Sequence, residues 1–346
     1  MHLRNKIGQL LIIGFAGGTI TPDDPIISWL QGDGLGGVLL FDLDIQTKAY
    51  GKNLREIEQI KQLTNQLNQY ARANSSLPLF IAVDYEGGAV DRLSKVPGCM
   101  KTKTASQQAD LNDEALCLET RNMATTLKTL GFNLNFAPVI DLNLNEQQGI
   151  IGKLNRSFSA KPREVVRVAS QFVQSFNDQG IICAYKHFPG HGSAVGDTHL
   201  GFVDVTDTFQ ACELDPYRML LADYPALAMI MTAHVINRQL DETGLPATLS
   251  HKILNDLLRE KLGYQGVIVS DDLQMHAVSD HYSLDEALQL TLNAGADMLI
   301  FGNQWGWITA TEVIDCIENL VLTGKVPLER IERAFQRVKR LKTMQL

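Results

Sequence analysis

The chain has 346 residues, of which 45% are hydrophobic and 20% charged, and its formal net charge at pH 7 is −8. These values are typical of a globular protein with a large core. The acidic balance argues against a nucleic acid as a partner, and no stretch reaches the ~18–20 apolar residues of a membrane span. The five cysteines are odd in number and form no C-x-x-C pair, which argues against a disulfide framework and favours a reducing compartment.

Short apolar runs alternate with helical patterns along the whole chain. The first run, at 10–17, follows a basic N-terminus, but Gly8 and Gln9 interrupt it and no cleavage site follows, so we interpret it as a strand rather than a signal peptide. Further strands are predicted at 36–42, 79–85, 132–138, 182–188, 227–234, 266–272 and 297–303. Helices are predicted at 54–74, 113–130, 162–177, 250–262, 283–293, 309–323 and 327–344.

The order of these elements predicts a fold. Near-continuous apolar strands are typical of parallel sheets that are covered on both faces. Eight of them alternating with helices favour a (β/α)8 TIM-type barrel. An open doubly wound sheet is the alternative, but it would carry a G-x-G-x-x-G turn, which GFAGGTITPDD matches poorly. We expect residues 1–346 to form one catalytic barrel domain, with no second domain supplying residues.

Polar residues follow most of the predicted strands. In a (β/α)8 barrel the carboxyl ends of the strands meet at one mouth, where active sites lie. The residues expected there are Asp84, Glu86, Asp141, Lys186, His187, His234, Asp271, Asp272 and Asn303.

The segment AYKHFPGHGSAVGDTHLG (184–201) is rich in histidine and allows three interpretations. It could be a structural turn. It could hold a metal, since His187, His234 and a late aspartate resemble the ligands of metal-dependent amidohydrolases. That family also has a His-x-His on its first strand and an aspartate on its eighth, and this chain lacks both. The third interpretation is a proton-transfer apparatus.

Proton transfer is supported by Asp197 and His199, which are two residues apart. A carboxylate bonded to one imidazole nitrogen fixes the tautomer and raises the basicity of the other nitrogen. Such a pair needs a nucleophile, and Asp271 follows an apolar strand at the predicted mouth. The neighbouring Asp272 could instead cap the following helix.

Seven motifs resemble glycoside hydrolase family 3, in its bacterial β-N-acetylglucosaminidase branch, and they extend over most of the chain. They are VDYEGGAVDRL (83–93), FNLNFAPVIDL (132–142), NRSFS (155–159), KHFPGHG with a downstream D-x-H (186–199), MTAH (231–234), PATLS (246–250) and VSDDLQM (269–275). The combination of KHFPGHG, D-x-H and SDDLQM is highly specific.

The resemblance implies a role for each matching residue. Asp271 would be the nucleophile, and His199 the general acid/base, oriented by Asp197. The sugar would be contacted by Asp84, Arg92, Arg156, Lys186 and His187. No metal or cofactor is implied. The family's E-G-G-R-V loop departs here, because Ala89 stands where its arginine is usual.

These observations predict a retaining exo-β-N-acetylglucosaminidase that forms a covalent glycosyl-aspartate. The resemblance implies a small N-acetylglucosaminide or muropeptide substrate derived from peptidoglycan, and cytoplasmic recycling unless a leader was removed; we also expect a monomer. The alternatives are a family 3 glycosidase or phosphorylase acting on another β-glycoside, or a non-catalytic sugar-binding relative. If His199 is not the acid/base, Glu86 is the next candidate. The glycines between Pro189 and Thr198 predict a mobile loop.

Overall fold

A closed barrel of eight parallel strands forms the centre of the molecule. A computed structural model describes residues 1–73, 75–198, 201–223 and 228–345. Each strand pairs with its neighbour in chain order, and the last pairs with the first through Leu11 and Leu299, so the predicted TIM-type barrel is confirmed. The strands are β1 (Leu11–Gly14), β2 (Gly37–Leu39), β3 (Phe80–Val83), β4 (Leu134–Asn135), β5 (Ile182–Phe188), β6 (Ala228–Thr232), β7 (Ile268–Asp272) and β8 (Met298–Phe301).

Helices surround the barrel and bury one apolar face against it. In Ile57–Arg72, for example, Ile60, Leu63 and Leu67 lie on one face with helical spacing and are fully buried. The helices between and after the strands are Pro25–Gln31, Ile57–Arg72, Asp113–Thr129, Pro162–Asn177, Asp215–Asp223, the π-helix Lys252–Lys261, Leu284–Ala294, Ala310–Leu322 and Leu328–Gln345. The seven predicted helices are therefore confirmed within a few residues at their ends.

Short elements complete the described chain. A helix at Leu3–Gly8 precedes β1 and was not predicted, because the basic N-terminus was assigned to no element. The other short helical segments are Ala105–Ala109, Ile150–Lys153, Ala211–Leu214, Ala247–Leu249 and His276–Ser279. Two-residue and three-residue strands pair outside the barrel: Leu43–Asp44 with Ala49–Tyr50, Tyr85–Gly87 with Val90–Asp91, and Val203–Asp204 with Val235–Ile236. Asn74 and Leu227, at the ends of two predicted elements, lie outside the described residues.

Buried charges hold the amino-terminal end of the barrel, opposite the mouth. The Asp297 carboxylate, just before β8, accepts hydrogen bonds from Arg259, Arg330 and Arg337 at 2.5, 2.8 and 3.1 Å. Burial raises the pKa of Asp297, but the three guanidinium groups outweigh it and bring the pKa below its usual value.

In the described chain, no helix is both long and apolar enough to cross a membrane.

Candidate active site

The carboxyl ends of the strands surround a cavity of about 350 Å³, within the usual size of small-molecule sites. Seven of the eight residues predicted for the site line this cavity. The eighth, His199, lies outside the described residues. The seven are Asp84, Arg92, Arg156, Lys186, His187, Asp197 and Asp271.

Glu86 lies at the centre of a buried ion-pair network in the cavity wall. Its carboxylate accepts two hydrogen bonds from Arg156, at 2.9 and 2.8 Å, and lies 2.8 Å from the Lys186 Nζ. Burial raises the pKa of Glu86, but the charges of Arg156 and Lys186 outweigh it and bring the pKa well below its usual value. Because a general acid must hold a proton near neutral pH, this geometry argues against Glu86 as the alternative acid/base.

A second carboxylate, Asp84, follows β3 directly and shares Lys186 with Glu86. Its Oδ1 accepts a hydrogen bond from Lys186 at 2.9 Å, and its Oδ2 lies 3.9 Å from the Arg92 guanidinium. Arg92 also lies 3.7 Å from Asp42, and its buried Nε–H has no hydrogen-bond acceptor among the described residues. Asp84 is partly exposed to the cavity. The Arg92 side chain is partly exposed and also lines the cavity, so the pair presents a carboxylate acceptor and guanidinium N–H donors to a ligand.

Asp141, which follows β4, positions the start of the histidine-rich segment. Its carboxylate lies 2.7 Å from the His187 Nδ1 and accepts a hydrogen bond of 2.8 Å from the His191 backbone N–H. The Nε2 of His187 lies 3.4 Å from Arg156. Because Nδ1 faces a carboxylate, it carries the proton in the neutral imidazole and Nε2 is the acceptor. Burial lowers the pKa of His191 to about 4, so its imidazole is neutral at pH 7.

Glu213 anchors the same segment from a distant part of the chain. It accepts hydrogen bonds from the backbone N–H groups of Gly192 and Ser193 and from the Ser193 hydroxyl, at 3.0, 3.3 and 2.6 Å. A Cβ at Gly192 would overlap the carbonyl oxygen of Leu142, so glycine is required there for close packing. Residues 189–194 are buried, whereas 195 and 196 are exposed. Burial and these hydrogen bonds argue against the predicted mobility for residues 189–194. For residues 195–198 the mobility stays a prediction.

The end of β7 holds Asp271 in a defined position. Its backbone N–H donates to the Thr232 hydroxyl at 3.3 Å, and its Oδ1 accepts a hydrogen bond of 2.8 Å from the Asp272 N–H. His234 supports this strand end, because its Nε2 donates to the Asp272 carbonyl at 2.9 Å. The Asp271 carboxylate thus lines the cavity on a rigid strand rather than on a loop.

The metal interpretation finds no support in the contacts of His234. Its Nδ1 lies 2.8 Å from the Thr248 hydroxyl and its Nε2 is bound to Asp272, so both ring nitrogens already have protein partners. His234 is fully buried and does not line the cavity. Within the ranges that the structure describes, no three His, Cys, Asp or Glu side chains are grouped as metal ligands.

Two residues that organise the site were not assigned to it from the sequence. Asp141 was recognised only as one of several polar strand ends, and its position after the fourth strand was the available signal. Glu213 lies 21 and 20 positions after Gly192 and Ser193, which it binds, in the short helical segment Ala211–Leu214, and it carries no motif. Only the packing of that helix against the loop assigns it.

The family of the chain follows from comparison with known proteins. Residues 2–341 match the glycosyl hydrolase family 3 N terminal domain, and the chain belongs to that family. The chain is 33% identical to beta-hexosaminidase A of Pseudoalteromonas piscicida over 89% of its own length and 53% of that protein's. It is 31% identical to a beta-hexosaminidase of Idiomarina loihiensis over 93% of its own length and 91% of that protein's. The resemblance read from the motifs is confirmed.

A solved structure shows the same architecture. The glycoside hydrolase family 3 beta-N-acetylglucosaminidase from Paenibacillus sp. str. FPU-7 is 32% identical to this chain and superimposes with a TM-score of 0.86. The match covers 99% of this chain and 62% of that one. This chain therefore spans about half of the Pseudoalteromonas protein and under two thirds of the Paenibacillus chain.

Proposed function

We propose that the chain is a retaining exo-β-N-acetylglucosaminidase. The observation that carries the proposal is the convergence of Asp271, Asp197 and the five predicted sugar-contacting residues on one cavity at the barrel mouth. The similarity to beta-hexosaminidases and to a beta-N-acetylglucosaminidase supports the choice of N-acetylglucosamine as the sugar. A cavity closed below by the barrel suits the removal of one terminal residue at a time.

The proposed reaction has two steps, as in other retaining glycosidases. First, the Asp271 carboxylate attacks the anomeric carbon while the bond to the leaving oxygen breaks, and the His199 imidazolium gives its proton to that oxygen. Then His199 takes a proton from water, and the water oxygen attacks the anomeric carbon and releases Asp271. Asp197 would orient His199 and stabilise its charged form.

The polar wall of the cavity supports sugar recognition. The Asp84 carboxylate accepts hydrogen bonds, while Lys186, Arg156 and the partly exposed guanidinium of Arg92 donate them. Sugar hydroxyls both donate and accept, so they match such a mixed set. The Nε2 of His187 adds an acceptor whose tautomer Asp141 fixes. In this proposal the ion pairs hold the side chains in place before the sugar arrives, which lowers the entropy cost of binding.

The different roles proposed for Asp271, as nucleophile, and His199, as acid/base, provide the test. Asp271→Ala removes the attacking atom, so activity should collapse on every substrate. His199→Ala removes proton donation, worth ~10²–10⁴-fold, but only when the leaving group needs a proton. On a dinitrophenyl N-acetylglucosaminide, this variant should form the glycosyl-enzyme almost normally and then accumulate it, which intact-mass spectrometry would detect. Asp197→Ala should show a milder form of the same defect.

Azide separates the roles further. It needs no deprotonation, so it should accelerate turnover of His199→Ala and give a β-glycosyl azide. An equal loss on activated and unactivated substrates, with no effect of azide, would show that His199 is not the acid/base.

Wild-type turnover of an aryl N-acetylglucosaminide distinguishes an enzyme from a non-catalytic sugar-binding protein. Sugar 1-phosphate formed in phosphate buffer would indicate a phosphorylase, and loss of activity in EDTA would indicate a metal enzyme.

The remaining expectations from the sequence stay predictions. They are a monomeric chain, a single catalytic domain, a cytoplasmic location and an aglycone derived from peptidoglycan. The last of these depends on the outer part of the cavity.

A further inference from the structure

The outer part of the cavity differs in character from its base. Around the opening lie apolar side chains from the segments after four strands, β2, β3, β4 and β8: Ile45, Ala89, Val90, Ile150, Leu154 and Trp305. Ile45 and Leu154 are each 37% exposed, and Ala89 is exposed at the tip of the Gly87–Val90 turn. We call these six residues the apolar rim. Apolar atoms in such an opening favour the carbon face of a ring over a charged group.

The cations of the cavity are already paired with carboxylates. Arg156 is bound to Glu86, and Lys186 lies within 2.9 Å of Asp84 and Glu86. Arg92 lies between two carboxylates, 3.7 Å from Asp42 and 3.9 Å from Asp84. An incoming anion would therefore compete with existing ion pairs rather than meet a free cation.

The balance of charge points the same way. Among the described side chains that line the cavity, five are carboxylates and three are cationic. The carboxylates are Asp84, Glu86, Asp197, Asp271 and Asp272. The excess negative charge repels an anion that approaches the opening, and a half-enclosed cavity screens such repulsion less than bulk water does.

We propose that the apolar rim forms the aglycone subsite and that it selects a neutral pyranose ring, such as a second N-acetylhexosamine, over a ring that carries a carboxylate. The inference rests on the proposed glycosidase function and narrows its substrate class. Trp305 is the aromatic surface for that ring, and it is held edge-on by His276, with 5.3 Å between ring centroids. Ala89 is a specificity-determining position, because a small neutral side chain there leaves the rim without a cation.

A matched pair of disaccharides tests the charge preference. Both carry terminal N-acetylglucosamine linked to a ring with a lactyl ether, and one has the free carboxylate while the other has its methyl ester. The glycosyl-enzyme is the same for both, so a difference in kcat/KM reports only on the step in which the aglycone is bound. We expect the ester to exceed the acid by about fivefold or more at low salt, and the gap to narrow as salt screens the charges.

Ala89→Arg supplies the missing cation at an exposed position, where folding should be unaffected. It should lower the ratio of kcat/KM for the ester to kcat/KM for the acid by about two- to fivefold, which is the size of effect that an exposed ion pair has. Ala89→Gln is the matched control, since it adds length without charge, and it should leave the gap unchanged. Diacetylchitobiose, which has a neutral aglycone ring, should be cleaved by the wild type at least as well as the ester.

Other outcomes overturn the inference and leave the proposed function standing. One is a wild-type preference for the acid, which would place a cation at the rim. Another is hydrolysis of an aryl N-acetylglucosaminide but of none of the disaccharides, which would mean that the rim accepts no sugar ring. Failure on the aryl substrate as well would overturn the proposed function itself.

Discussion

Arg156 holds Glu86 in a two-pronged contact, with its Nε 2.9 Å from Oε2 and its Nη2 2.8 Å from Oε1. The two residues are 70 positions apart in the sequence, and both side chains are almost fully buried. Such a contact fixes two planar groups relative to each other as well as neutralising their charges. Lys186 joins on the other side, so one carboxylate determines the position of two of the predicted sugar-contacting residues.

Glu86→Gln tests this role. The substitution leaves Arg156 and Lys186 with less compensation in a buried site, and we expect a loss of about 2–4 kcal/mol in the free energy of unfolding, together with a large fall in kcat/KM. Urea denaturation and steady-state kinetics measure the two effects. Glu58→Gln is the control, because Glu58 forms an exposed pair with Lys61 and should cost under about 0.5 kcal/mol.

The low pKa of Glu86 also determines how the difference in unfolding free energy between the wild type and Glu86→Gln depends on pH. The pKa of Glu86 is lowered in the folded protein, so its stabilising contribution is present above the unfolded pKa of about 4.3 and is lost as pH falls below it. The stability advantage of the wild type over Glu86→Gln should therefore shrink in acid. An advantage that grew in acid would mean that Glu86 carries a proton in the folded protein and could act as an acid.

Asp141→Asn tests the orientation of His187. The amide keeps the size of the side chain but removes the charge that faces Nδ1, and a charge-assisted hydrogen bond contributes about 1.5–3 kcal/mol. We expect kcat/KM to fall by roughly 10–100-fold, and the ¹⁵N shifts of His187 to change in NMR spectra. Asp110→Asn, at an exposed position, should change neither. An unchanged kcat/KM would show that the tautomer of His187 has no part in the reaction.

Asp297→Asn separates stability from activity. Removing one partner from a buried cluster of three arginines should cost about 3–5 kcal/mol of unfolding free energy. The cluster lies at the end of the barrel opposite the cavity, so the folded fraction should keep its wild-type kcat. Asp315→Asn, which removes an exposed partner of Arg4, should cost no more than about 1 kcal/mol. A loss of kcat in folded Asp297→Asn would contradict the separation.

Lys342 also makes the free energy of unfolding depend on pH, but here burial, rather than neighbouring charges, lowers the pKa. Its fully buried Nζ lies 2.9 Å from the Gln9 Oε1 and 2.7 Å from the Gly36 carbonyl, and burial lowers its pKa to about 7. Between that value and the unfolded pKa of about 10.4, the unfolded chain binds a proton that the folded chain does not. Stability should therefore rise with pH in this window.

The comparison variant for this effect is Lys342→Met. From pH 7 to 10, the wild type should gain on the order of 3 kcal/mol of unfolding free energy relative to Lys342→Met. Lys339→Met, at an exposed position on the same helix, should show no such trend. A difference that stayed flat across this range would mean that Lys342 keeps its proton in the interior, where the two oxygen acceptors and the Phe80 ring at 4.5 Å favour the charged form.

The barrel and most of its mouth could be predicted from the sequence because the relevant signals are local. Eight apolar runs of strand length, separated by helical patterns, favour a parallel barrel whatever the long-range contacts are. Since parallel strands all end at one edge, polar residues after them converge there, and seven of the eight predicted site residues do line one cavity. Motifs such as KHFPGHG and SDDLQM then identified the family from residues that are close in the sequence.

Only the tertiary structure decided the protonation state and the role of individual side chains. His234 looked equivalent to His187 as a polar strand end, yet its Nε2 is bound to the Asp272 carbonyl of β7 and its Nδ1 to the Thr248 hydroxyl, and it does not line the cavity. Glu86 looked like a possible acid, yet Arg156 and Lys186 keep it ionised. The pKa and the accessibility of a side chain depend on burial and on charges a few ångströms away, and those neighbours come from residues tens of positions distant in the chain. No local pattern encodes which of them will meet.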